Sequence, residues 1–307
     1  MRHEALGRVN DRIEIVGHHV YPGYLVRGSE MTVMIEAGIN LLGPAYYEGI
    51  TGILGSFHDL EAVLVTHGHY DHLGALPYLK KKSPGLKAGG FHTVEALLQK
   101  EKVIKNMNFL SAQLVDYFPQ LVREDISPEE LAIEAVTLEC SMEEGDSIDL
   151  GNLTIQVYET PGHTGDHLSF FIPEMGLLFP GEALGNPISD LPGEVKVEFL
   201  SSFTQYLNSI EKLMRLRGDV TMMAMSHLYY YEGEDIQGFF DKTYNSTIRY
   251  GNLIEEYLDR ADGDIERACS LMVKREYDEK GTVYQERNAY ISNVMAQVNA
   301  VAMSRDY

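Results

Sequence analysis

The chain has 307 residues, 44% of them hydrophobic, and carries a net charge of −21 from 46 acidic against 25 basic side chains. That length and apolar content can bury a sizeable core, as one large domain or as one domain plus a cap, while the acidic field repels polyanions and argues against nucleic acid as substrate or partner. Cys140 and Cys269 lie far apart and outside any C-x-x-C pattern, so they read as ordinary thiols, and with no apolar leader and no apolar run of about 18 residues the expectation is a soluble, cytoplasmic protein without a membrane role.

In chain order, His18 and His19 precede Val20-Tyr21-Pro22-Gly23-Tyr24 near an early strand and read as surface or satisfied groups rather than a pocket rim. Thr32-Val33-Met34-Ile35 is a strand leading into Glu36-Ala37-Gly38, where Glu36 either supports a site or turns the chain. His58 and, further on, His92 read as structural. Ala62-Val63-Leu64-Val65 is an apolar run bounded by turn signals, as expected of a buried strand. Directly after it comes Thr66-His67-Gly68-His69-Tyr70-Asp71-His72, with four potential metal ligands in six residues. Neutral imidazoles suit zinc or iron, and a carboxylate among them favours a hard, positively charged centre.

Gly74 opens a helix over Ala75 to Lys82, closed by Ser83-Pro84-Gly85. Residues 93–122 read as helical, with Val103, Met107, Leu110 and Leu114 along one face. Leu153 to Tyr158 alternates apolar and polar residues and runs through Thr160-Pro161-Gly162 into His163, with His167 a supporting group four residues on. Gly176 to Gly181 is a short strand ending at Glu182, and Val220 to Met225 is another that delivers Ser226-His227. Four strands thus each present a candidate ligand at one end, outside the carboxyl ends of strands where layered α/β proteins place their sites. Tyr229, Tyr230 and Tyr231 follow His227, either as packing or with one hydroxyl offered to a substrate oxyanion. From about Asp235 the pattern is helical again. Its stripes are Tyr250, Ile254, Tyr257 and Leu258; Ile265, Ala268, Cys269 and Met272; and Ile291, Val294, Met295 and Val298. Both helical stretches read as core packing or as a lid that selects the substrate.

Over about residues 13–230 this succession resembles the metallo-β-lactamase-fold hydrolases. The match is H-x-H-x-D-H at His67, His69, Asp71 and His72, then His163 in Pro161-Gly162-His163-Thr164-Gly165, then Glu182 and His227. The resemblance implies an α/β fold, an αβ/βα four-layer sandwich with two sheets face to face and helices outside. It also implies two divalent metal ions, zinc or iron, with manganese an option. His67, His69 and His163 would hold the first, Asp71, His72 and His227 the second, and Glu182 would bridge them. Two positions depart from the pattern: the bridging residue is usually Asp, and the last His usually sits between glycines rather than in Ser226-His227-Leu228. The Glu leaves one or two metals open. The domain reading is 1–234 as the metal-site domain with a helical insert around 93–135, and 235–307 as a helical cap packed on it.

The chemistry implied is hydrolysis by a metal-activated hydroxide, with Asp71 or Glu182 as the catalytic carboxylate that orients it. There is no Gly-x-Ser-x-Gly elbow, P-loop or dinucleotide fingerprint. Val65 to Leu79 is similar to the branch containing the quinolone-signal thioesterase. That points to a thioester or ester of a small molecule, with lactones close behind and phosphodiesters weaker. A metal-holding regulatory or binding protein with little turnover is the alternative, and diiron redox chemistry fits less well. A homodimer is a possible assembly.

Overall fold

Period-two alternation in the first strands decides how the chain layers. Ile13, Ile15, Tyr24, Val26, Val33, Ile35, Ala62 and Leu64 lie in one apolar cluster, while their neighbours Val16, Leu25, Met34 and Val63 lie in another. Successive side chains of a strand point to opposite faces, so this sheet is buried on both sides. It has seven strands in the order Gly7–Arg8, Ile13–His18, Tyr21–Arg27, Thr32–Ile35, Ala62–Leu64, Lys87–Phe91 and Cys140–Met142. The last four run parallel to one another. A second seven-stranded sheet runs in the order Arg2–His3, Tyr230–Glu232, Met222–Ala224, Leu177–Phe179, Leu168–Ile172, Thr154–Glu159 and Ser147–Asp149. Ile155, Val157, Leu168, Phe170, Ile172, Leu177, Phe179 and Ala224 from it share the first cluster, so the two sheets pack face to face.

In the computed structural model, residues 2–3, 6–188, 194–228, 230–233, 235–281, 283 and 287–305 are described. The chain divides into two compact units. The first comprises Met1–Glu159, Leu168–Gly181 and Asp219–Asp235 and contains both sheets; the second comprises Thr160–His167, Glu182–Gly218 and Ile236–Tyr307. The outer cluster of the first unit is covered by helices Gly43–Leu54, Leu76–Lys82, His92–Leu98 and Glu101–Gln113, through Tyr46, Ile50, Leu76, Leu79, Val94, Leu98 and Met107.

The continuous helix expected over 93–122 is instead two helices followed by single turns at Leu114–Asp116 and Pro119–Leu121. Lys100 takes an extended conformation, φ −90° and ψ 108°, and restarts the helical phase. The reason is burial: at about 100° per residue, Leu98 and Met107 would face opposite sides of one straight helix. The break lets both reach the same core.

The second unit is mostly helical, with Phe203–Met214, Asp235–Arg260, Ile265–Met272 and Arg287–Ser304, a π-type stretch at Val273–Glu279 and a short hairpin pairing Asn186–Pro187 with Val195–Lys196. Ser202 and Asp264 cap two of these helices by accepting from Gln205 N and Arg267 N. Arg217 clasps Asp241 with two bonds of 2.8 and 2.7 Å, tying the end of one helix to the next. The stripes read from the sequence face inward, with Ile254, Tyr257, Ala268, Cys269, Met272, Val294 and Val298 all buried. Among the described residues no helix is long and apolar enough to cross a membrane.

Candidate metal centre

In the first unit the candidate ligands stand where parallel strands stop. Glu36 follows Thr32–Ile35, His67 and His69 follow Ala62–Leu64, and His227 follows Met222–Ala224. His69 caps a single helical turn, Tyr70–Leu73, which carries Asp71 and His72. That turn is clamped to the segment after Glu36: Ala37 N donates to His72 O at 2.8 Å and Gly74 N to Gly38 O at 2.7 Å. Only glycine fits at 74, because a Cβ there would lie 2.3 Å from Tyr70 O and 2.7 Å from Asn40 N. Tyr24 OH donates to Met225 O at 2.6 Å and pins the strand end that delivers Ser226 and His227. Burial, then the negative charge of Glu36, holds that phenol protonated far above its ordinary range.

The hydrogen bonds fix which nitrogen of His67, His72 and His227 faces the site. Glu36 Oε1 accepts from Thr66 Oγ1 at 2.7 Å, Ser226 Oγ at 2.8 Å and His72 Nδ1 at 3.1 Å. Since Thr66 gives its proton to Glu36, its oxygen must accept from His67 Nδ1, 2.9 Å away. His227 Nδ1 lies 2.9 Å from Val20 O, a carbonyl that can only accept. His67, His72 and His227 therefore carry their protons on Nδ1 and turn Nε2 inward. His67 Nε2 meets His69 Nδ1 at 3.0 Å, and the Nε2 atoms of His72 and His227 each stand 3.9 Å from an Asp71 carboxylate oxygen. Ligand atoms of Asp71, His72 and His227 all lie within 4.8 Å of one another. Inward lone pairs held by outward N–H bonds, beside a carboxylate, are the donor set a divalent ion requires, and the residues fit it.

The second unit supplies the other two candidates. His163 Nδ1 donates to Glu198 O at 2.6 Å, and its Nε2 faces Glu182 Oε2 at 3.0 Å. Two acceptors that close need a cation between them, either a proton or a metal ion. His167 bonds Thr160 Oγ1 through Nδ1 at 2.8 Å and accepts from Glu182 N through Nε2 at 2.9 Å, so it holds the backbone of Glu182. Gly162 sits at φ +133° with a would-be Cβ 2.4 Å from Tyr206 N, a position closed to any side chain.

The structure thus brings Asp71, His72 and His227 together and pairs His67 with His69 in one unit, and pairs His163 with Glu182 in the other. Glu36, between two readings in the sequence, does both: it turns the chain at φ +68° and anchors the histidines. Tyr230 is a packing residue in the inter-sheet core, stacked 4.5 Å from His3, and Tyr231 is buried. Tyr229 lies outside the described residues. An aromatic row missed in the sequence runs from His227 to Tyr21 at 5.4 Å, Tyr21 to Phe118 at 5.8 Å and Phe118 to His18 at 5.6 Å. Neighbouring positions Tyr21 and His18, together with the insert residue Phe118, were the signal available for it.

A two-sheet α/β sandwich with imidazoles and carboxylates gathered at strand ends is the scaffold of a metal-site protein. A family model described as the metallo-beta-lactamase superfamily matches residues 22–227, and the chain belongs to that superfamily, with added helices in its C-terminal region. It is 31% identical over 170 residues to a hydroxyacylglutathione hydrolase of Idiomarina loihiensis, covering 55% of this chain and 48% of that protein. The chain thus spans about half the length of the first curated relatives it matches. It is 27% identical over 222 residues to the acyl-coenzyme A thioesterase MBLAC2 of Homo sapiens, covering 66% of this chain and 71% of the other. Among solved structures, a metallo-beta-lactamase family protein of Thermus thermophilus superposes with a TM-score of 0.62 at 15% identity, over 99% of this chain and 93% of that one, which shows a shared fold.

Proposed function

We propose that this chain is a metal-dependent hydrolase of a small-molecule thioester, or of an ester or lactone. The observation that carries the reading is the common orientation of His67, His72, His163 and His227, each with Nδ1 committed to an oxygen acceptor and Nε2 turned away from it. Following the family pattern, His67, His69 and His163 would hold one divalent ion and Asp71, His72 and His227 a second, with Glu182 as a further ligand. Zinc and iron suit these ligands, and manganese is compatible. When bound, such ions lower the pKa of a coordinated water and polarise a carbonyl oxygen. Asp71 or Glu182 would orient the attacking water and receive its proton. The row of Tyr21, Phe118 and His18 beside His227 offers an apolar flank suited to an acyl chain. Relatives named as hydroxyacylglutathione hydrolase and acyl-coenzyme A thioesterase support the thioester. The net charge of −21 disfavours nucleic acid as the substrate.

Elemental analysis of protein purified without added metal, beside an acyl-thioester assay that detects the released thiol, tests this. The expected outcome is about two metal equivalents and turnover in the wild type, with His69→Ala losing at least about 100-fold in activity while remaining folded. Turnover that survives His69→Ala would overturn the mechanism. Bound metal with no turnover on thioesters, esters or lactones would favour a metal-holding binding role.

A further inference from the structure

We propose that Gln297 and Asn293, on the C-terminal helix Arg287–Ser304, are positioning residues for the metal ligand His163, an inference that rests on the metal-holding reading above. The carbonyl oxygen of Glu198 accepts from His163 Nδ1 at 2.6 Å and so helps to set the plane of its ring. The segment around Glu198 runs alongside the His163 loop, with Leu200 N donating to His163 O at 3.2 Å and Ser201 N to Gly162 O at 3.0 Å. It is therefore a template for the loop, and the ring is placed only as well as the template is.

Two side-chain amides hold that template from the other side. Gln297 Nε2 donates to Val197 O at 3.0 Å, and Asn293 Nδ2 donates to Glu198 Oε1. Glu198 is itself buried, and Lys196 Nζ lies 3.0 Å from the same carboxylate oxygen. Gln297 is 3% exposed, on a helix whose other inward residues include Val294, Val298 and Val301. An amide on such a face costs free energy unless bonded, and an aliphatic residue there would pack without that cost. The amide oxygen also accepts from Tyr250 OH at 3.3 Å, and the amide nitrogen supplies what an aliphatic residue does not, a fixed register between the helix and the backbone of Val197 and Glu198. Metal–imidazole bonds tolerate only a few tenths of an ångström, so register at this point is read out at His163 Nε2. The C-terminal helix thus takes part in ligand geometry and is more than a cover.

The test uses full-length protein stripped of metal and titrated with zinc against a chromophoric chelator, for the wild type, Gln297→Met and Asn293→Ala. Positioning predicts zinc affinity weakened by about 10-fold in each variant with far-UV circular dichroism close to wild type, whatever Tm the metal-free protein loses from the groups left unpaired. A purely structural role predicts a lowered Tm with unchanged zinc affinity, and that result overturns the proposal. Should Gln297→Met fail to fold, Asn293→Ala, at a half-buried position, decides the question alone. Wild-type protein that takes up no zinc overturns the metal reading and this inference with it, whereas normal wild-type uptake with unaltered variants overturns the positioning alone.

Discussion

A single carboxylate oxygen, Glu36 Oε1, receives hydrogen bonds from Thr66, Ser226 and His72 and through Thr66 sets the tautomer of His67. The chain accepts two penalties to keep it there. Its backbone sits at φ +68°, a region that disfavours a residue with a Cβ, and among the described residues Oε2 has no hydrogen-bond partner although it is buried. Such tension points to function rather than stability. Glu36→Gln keeps the shape and removes the charge that strengthens these bonds. The expected outcome is metal affinity reduced about 10- to 100-fold, measured by chelator competition. The Tm of the metal-free protein should stay level or rise, because a neutral amide is easier to bury. A fall in Tm with undiminished affinity would make Glu36 a scaffold residue only.

At the scale of elements, the parallel strands were legible because burial on both faces writes them as short apolar runs such as Ala62 to Val65, and their ends announced His67, His69 and His227. The strand Ile13–His18 was harder to read, since Ile13, Glu14, Ile15 and Val16 are all buried and no polar face marks the period. The break at Lys100 and the bonds of Glu36, Asn293 and Gln297 are tertiary facts. Ser226 reaches Glu36 across 190 residues, a separation that no local pattern encodes. One clasp between elements makes a testable case. Glu139, beside the strand Cys140–Met142, takes Lys80 Nζ on both oxygens at 2.7 and 2.8 Å and Ala88 N at 2.8 Å, joining a helix and a neighbouring strand. Partial burial works to raise its pKa, but the Lys80 ammonium and the Ala88 N–H outweigh that and bring it down to about 2. A depressed carboxyl stabilises the fold above its unfolded value of 4.5, and that contribution fades as pH falls towards 2. The side chain is 40% exposed, so solvent screening limits the effect. Glu139→Gln should cost roughly 0.5–1 kcal/mol in urea unfolding at about pH 7 and only a fraction of that at about pH 2.5, where the carboxyl begins to protonate in the fold. An equal cost at both would show that packing, not charge, is what Glu139 contributes.

For the molecule as a whole, the net charge of −21 is the property expected to sort substrates if the proposed thioester hydrolysis holds, since a thiol carrier is either anionic or neutral. A field of that sign lowers the local concentration of an anionic substrate, and salt relieves it as the Debye length falls from about 10 Å at 0.1 M towards a few ångström at higher ionic strength. An acyl thioester of coenzyme A, which carries phosphates, should therefore show kcat/KM rising about 3- to 10-fold between roughly 20 and 500 mM salt. The same acyl group on a neutral thiol should show little change, which separates charge screening from any effect of salt on the protein itself. A fall in kcat/KM for the anionic substrate would mean that basic side chains near the site recruit it against the overall field. Because the protein would then carry a local attraction that its net charge works against, that outcome would make an anionic carrier the better candidate for its substrate, and the opposite outcome would favour a neutral one.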